Sequence, residues 1–363
     1  MVSYTSPIDP HAHLRGEEYE EDFRRMAYED LFAVGAVGVC EQPNTIPALT
    51  TALRIEGRAW VAEILGRNGE ISYRGHIAFT PNFAQQNHAL SAILNDDFNL
   101  IGADKIFYAR STSSGEIEIT NPEIQRRAWV NKARTGYKGV SMGHFEDEEL
   151  FVGKFDYKNP VSHSLMRPPW SELIQVERQL GFAYDAGFEG VFYIAHVSNP
   201  DTVDLVMKER SRLPFEVVME ITPHHMMLNW EDYEFHQRRH ENGNLVKMNP
   251  PLRDKEMQEK LLNYVLKGKF DVIGTDHAPH PFERKSGVAP ASGIPGIPFI
   301  PKMIEILFEN GWSREEQKRM MFDTSNRLFF GGKLKPLEVD IEYNPELWAK
   351  YGFNPFERID GTR

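Results

Sequence analysis

The sequence predicts a (β/α)8 TIM-like barrel with little or no N-terminal β-sandwich and a short C-terminal extension. Three observations lead there. The chain has 363 residues, which suits one large α/β barrel of roughly 250 residues or more. Short β-branched or apolar runs alternate with longer helical patterns through most of it, the rhythm of a parallel sheet covered by helices. The G-x-G-x-x-G turn that usually marks an open doubly wound sheet is absent from the sequence.

The elements follow in order. A first strand spans 8–14, and its helix spans 21–34, with Phe23, Met26, Ala27, Leu31 and Val34 roughly at helical spacing. A second strand at 36–41 precedes a helix at 48–65. The third, 72–79, is followed by a helix holding 89–94. The fourth is 100–108, with a helix at 123–134. The fifth is 139–143, with a helix at 171–186. The sixth is 191–196, with a helix at 201–210. The seventh is 216–221 and the eighth 271–275, followed by a helix at 299–310. Residues 1–332 form the barrel in this reading, and 333–363 an irregular extension packed on it. The Gly/Pro-rich stretch 281–301 follows the eighth strand, so it belongs on the C-terminal face, as a loop over a site or a long connection.

Composition narrows the function. The formal net charge is −12, which argues against a nucleic-acid or anionic-membrane binder. The single cysteine, Cys40, cannot build an internal disulfide framework. No basic segment followed by an apolar run opens the chain, so no signal peptide is expected, and no apolar stretch approaches a membrane span. A cytoplasmic enzyme is the expectation.

Chemistry gathers at the strand ends. His11 and His13 lie two apart in Asp9-Pro10-His11-Ala12-His13-Leu14-Arg15, and period two sends both rings to one face. Such a pair suits Zn²⁺ or a similar divalent ion, although H-x-H alone is weak evidence. Lys105 lies late in the fourth strand, and His144, His196 and Asp276 end the fifth, sixth and eighth. A barrel gathers all of them on its C-terminal face, where four imidazoles, an amine and a carboxylate make a binuclear metal site. A buried lysine beside cations is costly as an ammonium; its neutral amine can add CO2, and the resulting carbamate can bridge two metals.

These residues stand in segments that resemble the dihydroorotases of the amidohydrolase superfamily. Besides the strand ends, the matching segments are Gln42-Pro43-Asn44, Ile221-Thr222-Pro223-His224-His225, Lys247-Met248-Asn249-Pro250-Pro251-Leu252-Arg253 and Thr275-Asp276-His277-Ala278-Pro279-His280, in family order across residues 9–300. The resemblance implies two divalent metals, usually zinc. His11, His13 and Asp276 would hold one metal and His144 and His196 the other, bridged by carboxylated Lys105 and a hydroxide. It also implies reversible cyclisation of N-carbamoyl-L-aspartate to L-dihydroorotate in pyrimidine synthesis. Asp276 would be the catalytic acid/base, shuttling a proton between the bridging hydroxide and the ring nitrogen. Arg15, two residues past His13, would take the substrate carboxylate in a bidentate fork; Asn44, Asn249 and His280 resemble further substrate contacts. Dihydropyrimidinases, hydantoinases and allantoinases resemble the rest of the site but generally lack that arginine. They form the alternative, together with a catalytically silent homologue acting as an assembly partner. A homodimer is the assembly frequent among such relatives.

The chain departs from many relatives in that its His-x-His pair comes too early for an N-terminal β-sandwich. Ser111 to Gly115 loosely matches a flexible substrate loop, and Gly293-Ile294-Pro295-Gly296 resembles a substrate-backbone contact in which Pro295 has no N–H to offer. The remaining histidines take plainer readings. His224 and His225 are support for the site, His277 support for the eighth strand, and His76, His88, His163, His236 and His240 surface or loop residues. Cys40 is read as a small core residue, and Trp60, Trp129 and Trp312 as helix residues packed on the barrel.

Overall fold

The structure is a computed structural model that describes residues 1–15, 21–43, 71–96, 99–111 and 117–361. The expected helix at 48–65, Trp60, Asn44 and most of the 111–115 segment lie outside the described residues.

Ten strands occur among the described residues: β1 (Val2–Thr5), β2 (Ile8–Ala12), β3 (Gly38–Glu41), β4 (Ser72–Ala78), β5 (Ile101–Phe107), β6 (Val140–His144), β7 (Val191–Ile194), β8 (Glu216–Ile221), β9 (Val272–Ile273) and β10 (Glu338–Ile341). Strands β2 to β9 pair in sequence order, every pair parallel. A parallel bridge between Ala12 and His277 joins the two ends, and the His13 amide donates to the His277 carbonyl at 2.7 Å. The expected barrel is therefore present.

The helices form where the sequence places caps and apolar stripes. Asn121 accepts from the amides of Glu123 and Ile124 ahead of the helix Pro122–Arg134, whose proline stands in the first turn. That helix buries Trp129, whose ring lies 5.2 Å from Phe192 in a stacked arrangement and 5.1 Å from Phe188 edge-on. Two long helices between β8 and β9, Trp230–His240 and Lys255–Leu266, were not expected. The first is dense in charged and aromatic residues, which blurs its apolar stripe, yet Asn229 and Asp232 complete a capping box.

Strands β2, β3 and β5 to β9 send Ile8, Cys40, Ala103, Val140, Met142, Tyr193, Val218 and Val272 into one interior cluster, with Phe322, Phe329 and Phe330. One end of the barrel interior is thus packed mainly with apolar side chains.

The two remaining strands were also unexpected. β1 pairs antiparallel with β10, from Val2 with Ile341 to Thr5 with Glu338, in a two-stranded sheet outside the barrel. Beyond it, Trp348, Tyr351 and Phe356 are buried. Phe356 stacks on Phe299 at 3.9 Å, and Tyr351 donates its hydroxyl to Asp30 at 2.5 Å.

Candidate metal centre and substrate pocket

His11 lies on β2 and His13 just past its end, while Asp276 follows β9. The Nε2 atoms of both histidines lie 3.2 Å from one oxygen, Oδ1 of Asp276. Three ligand-type atoms therefore share one small space, as the sequence predicts. His11 donates its Nδ1–H to Glu220 Oε1 at 2.7 Å. That bond orients the ring and leaves Nε2 as the atom turned toward Asp276. Glu220 also accepts from the His196 amide and the Tyr193 hydroxyl, each at 2.8 Å. It fits because residue 274 is glycine: a Cβ there would stand 2.7 Å from the carboxylate.

His144 ends β6 and His196 follows β7. His144 donates its Nε2–H to Glu146 at 2.8 Å, so it presents the opposite nitrogen, Nδ1, which lies 3.1 Å from His196 Nε2. Glu146 is itself gripped by the Arg167 guanidinium, at 2.5 Å from Nη2 and 3.1 Å from Nε. Burial opposes a charge on Glu146, yet Arg167 and His144 hold its carboxyl well below the usual range. The His11 and His196 rings are 5.2 Å apart, which brings the two pairs together.

Lys105 comes from β5, and its Nζ is buried with no hydrogen-bond partner among the described residues. Burial pushes its amine down to about 8, against the pull of Glu220 and Asp276. Among the five described non-glycine residues with positive φ, three are Arg15 (63°), His196 (39°) and Asp276 (45°). Left-handed backbone is costly for such residues and clusters at functional sites; here it bends the chain sharply where each strand ends.

Arg15 lies beyond β2, with a positive φ, so the pleat of the strand does not aim it. The turn does: its Nε donates to the Pro279 carbonyl at 2.8 Å and its Nη2 lies 3.1 Å from His280 Nε2. Asn249 meets Ser111 at 2.9 Å and His163 at 2.8 Å. The loop after β9 is folded onto this region. Lys285, fully buried, donates to the carbonyls of Lys247, Ala291 and Gly293 at 2.8 to 3.0 Å. The Gly293 amide is already given to the Lys247 carbonyl at 2.9 Å.

Some plain readings need correction. His76, His163 and His236 are buried, because each ring donates to a main-chain carbonyl, of Pro10, Met248 and Pro355 respectively, which offsets the desolvation of the imidazole. His277 does support its strand: its Nδ1 accepts from the Gly296 and Ile297 amides. His225 bonds Thr222 and the Pro250 carbonyl. Cys40, Trp129 and Trp312 are buried.

Sequence reasoning passed over Glu220, Glu146 and Arg167. Glu220 left a usable signal, a lone charge inside the otherwise apolar run Val217-Val218-Met219-Glu220-Ile221. Arg167 left none, because its partner Glu146 is 21 residues away.

No protein-family model matches the chain. It is 27% identical to a dihydroorotase of Lactobacillus johnsonii over 89% of its own length and 70% of that protein's. It is 28% identical to a dihydroorotase of Methanothermobacter thermautotrophicus over 98% of its length and 79% of the relative's. The chain is thus similar, at under 30% identity, to proteins named dihydroorotases. Among solved structures, an L-hydantoinase (dihydropyrimidinase) from Arthrobacter aurescens shares the fold with a TM-score of 0.72 at 21% identity, over 90% of this chain and 71% of that one. A dihydroorotase from Campylobacter jejuni does so with a TM-score of 0.66 at 16% identity, over 93% and 86%. No described helix is long and apolar enough to cross a membrane.

Proposed function

We propose that this chain is a dihydroorotase that interconverts N-carbamoyl-L-aspartate and L-dihydroorotate with two divalent ions, most simply Zn²⁺. A cytoplasmic setting goes with that reading. The observation that carries it is the approach of Arg15 to His280, 3.1 Å apart, beside a cluster of ligand atoms on His11, His13 and Asp276. A carboxylate reader next to a metal centre suits a ring amide that bears a carboxylate.

The residues fit a two-metal centre. His11 and His144 each give one N–H to a buried carboxylate and turn the other nitrogen inward, the second-shell arrangement of metal-ligating imidazoles. His196 Nδ1 and Lys105 Nζ are buried without hydrogen-bond partners among the described residues, which is costly unless something else pairs with them. His11, His13 and Asp276 would hold one ion, His144 and His196 the other, and Lys105 as a carbamate would bridge them. Such ions supply Lewis acidity and lower the pKa of water towards about 7.

The chain's own groups do the rest. Arg15, with His280, Asn249 and Asn44, binds the ring carboxylate and sets the reacting amide over the ligand cluster. Asp276, 3.2 Å from both His11 and His13, accepts the proton of the attacking water and returns it to the ring nitrogen as the C–N bond breaks; cyclisation runs this in reverse. The folded loop stapled by Lys285 limits water around that transfer.

The test is turnover of dihydroorotate, dihydrouracil and hydantoin side by side by zinc-loaded protein. Dihydroorotate should be opened at alkaline pH and carbamoyl aspartate cyclised at mildly acidic pH. Turnover of only the uncharged rings would assign a hydantoinase-like enzyme instead.

A further inference from the structure

A second group of metal-ligand side chains lies outside the barrel mouth. His236 and His240 stand four residues apart on the helix Trp230–His240, so their rings share one face. The rings lie 5.5 Å apart and nearly parallel, at 23°. Facing them is Glu357, at the start of the C-terminal helix Glu357–Asp360. One nitrogen of each ring and one carboxylate oxygen lie within 4.8 Å of one another. We propose that His236, His240 and Glu357 form a peripheral divalent-metal site that clamps the C-terminal segment to this helix.

The donors suit that role. Two imidazoles and a carboxylate are the set that borderline ions such as Zn²⁺ favour. His236 is fully buried and its Nδ1 has no hydrogen-bond partner among the described residues, while its Nε2–H donates to the Pro355 carbonyl at 3.2 Å. Burial holds this ring neutral, with its pKa lowered to about 4, so a lone pair is available to a cation. Arg239 takes one oxygen of Glu357, Oε1, at 2.7 Å, which leaves Oε2 toward His240, also at 2.7 Å. Arg239 thereby orients the carboxylate as supporting groups orient metal ligands. The His240 side chain is 30% exposed and gives an ion a way in.

A tetrahedral ion about 2.1 Å from each ligand sets the ligand atoms about 3.4 Å apart. Side-chain rotation draws in the wider separations and opens the 2.7 Å pair. The ion takes the place of the proton shared by His240 and Glu357. The clamped segment contains Tyr351, whose hydroxyl lies 3.4 Å from His277 Nε2, next in sequence to Asp276. The ion would therefore steady the backbone that carries the proposed proton carrier without touching substrate.

The experiment counts Co²⁺ and Zn²⁺ bound per full-length chain by equilibrium dialysis, with the Co²⁺ visible spectrum as a second readout. Wild type is compared with His240→Ala, Glu357→Gln and a His11→Ala/His13→Ala double variant. The two peripheral variants should each lose one equivalent and its spectral band while retaining turnover. The double variant should retain that band, which separates this site from the barrel centre. Equal metal content and spectra in wild type and His240→Ala overturn the proposal. Should His240→Ala fail to fold, His240→Gln serves. Zinc should then raise the thermal midpoint of the double variant, and no such rise once His240→Gln is added to it; the same rise in both also overturns the site.

Discussion

The two halves of the candidate metal centre are built differently. In the first, His11 and His13 sit two apart in the chain, and the carboxylate behind His11 is Glu220, which accepts from the His196 amide and the Tyr193 hydroxyl but meets no guanidinium among the described residues. In the second, His144 and His196 come from neighbouring strands 52 residues apart, and the carboxylate behind His144 is Glu146, paired with buried Arg167. The first half turns Nε2 of both rings to Asp276, whereas in the second Nδ1 of His144 meets Nε2 of His196. One half is thus specified by a short motif and a carboxylate shared among an imidazole, an amide and a hydroxyl, and the other by long-range contacts and an arginine–carboxylate pair.

The largest effect should separate chemistry from scaffolding. Asp276→Asn keeps the shape of the first half but removes the proton carrier, and kcat for dihydroorotate should fall by about 10³-fold, within the range typical of lost general acid–base catalysis. Steady-state kinetics at matched metal content would measure it; a loss under tenfold would remove Asp276 from that role.

The next test sets the two supporting carboxylates against each other. Glu146→Gln leaves Arg167 buried without its anion, an uncompensated charge that typically costs about 3–5 kcal/mol. Glu220→Gln strands no guanidinium, although it removes the anion that favours a charged His11 ring and Lys105 amine, and its cost should stay near about 1–2 kcal/mol. Urea unfolding of the metal-free variants compares them directly, and equal costs would erase the proposed asymmetry. In metal titrations each should weaken binding about 10–100-fold, as is usual for outer-shell groups.

Arg15→Met addresses the pocket next to the first half. Loss of a charge-assisted contact worth about 1.5–3 kcal/mol should lower kcat/KM for dihydroorotate by about 10–100-fold and leave dihydrouracil nearly unchanged. The same loss for both rings would deny Arg15 a part in specificity.

The smallest effect concerns a pin found beneath the first half. Asp9 accepts from the Thr275 hydroxyl at 2.5 Å and from the Thr275 and His11 amides at 3.1 and 3.0 Å. Thr275→Val should cost about 1 kcal/mol in denaturant unfolding and shift metal affinity at the His11 side only.

The same contrast explains what could be read in advance. The H-x-H pair and Asp276 were legible because each ends a strand, and a parallel barrel gathers strand ends whatever lies between them. His163 and His236 were misread because nothing local distinguishes a buried imidazole from an exposed one; the deciding partners are Met248 and Pro355 carbonyls, 85 and 119 residues away. The β1–β10 ribbon was missed for a similar reason, since two four-residue strands from opposite ends of the chain carry no pattern that pairs them.

The sequence by itself determined the alternation of strands and helices, the parallel order that follows from it, and the residue types at the strand ends. Period-two and period-3.6 patterning are local, and they act before any distant contact forms. Only the tertiary structure decided which nitrogen of each histidine faces inward, that Glu220 and Glu146 stand behind them, and that Arg167 neutralises one and not the other. Those are settled by single hydrogen bonds between distant segments in a buried, low-dielectric interior, where an unmade bond is expensive and a made one is specific.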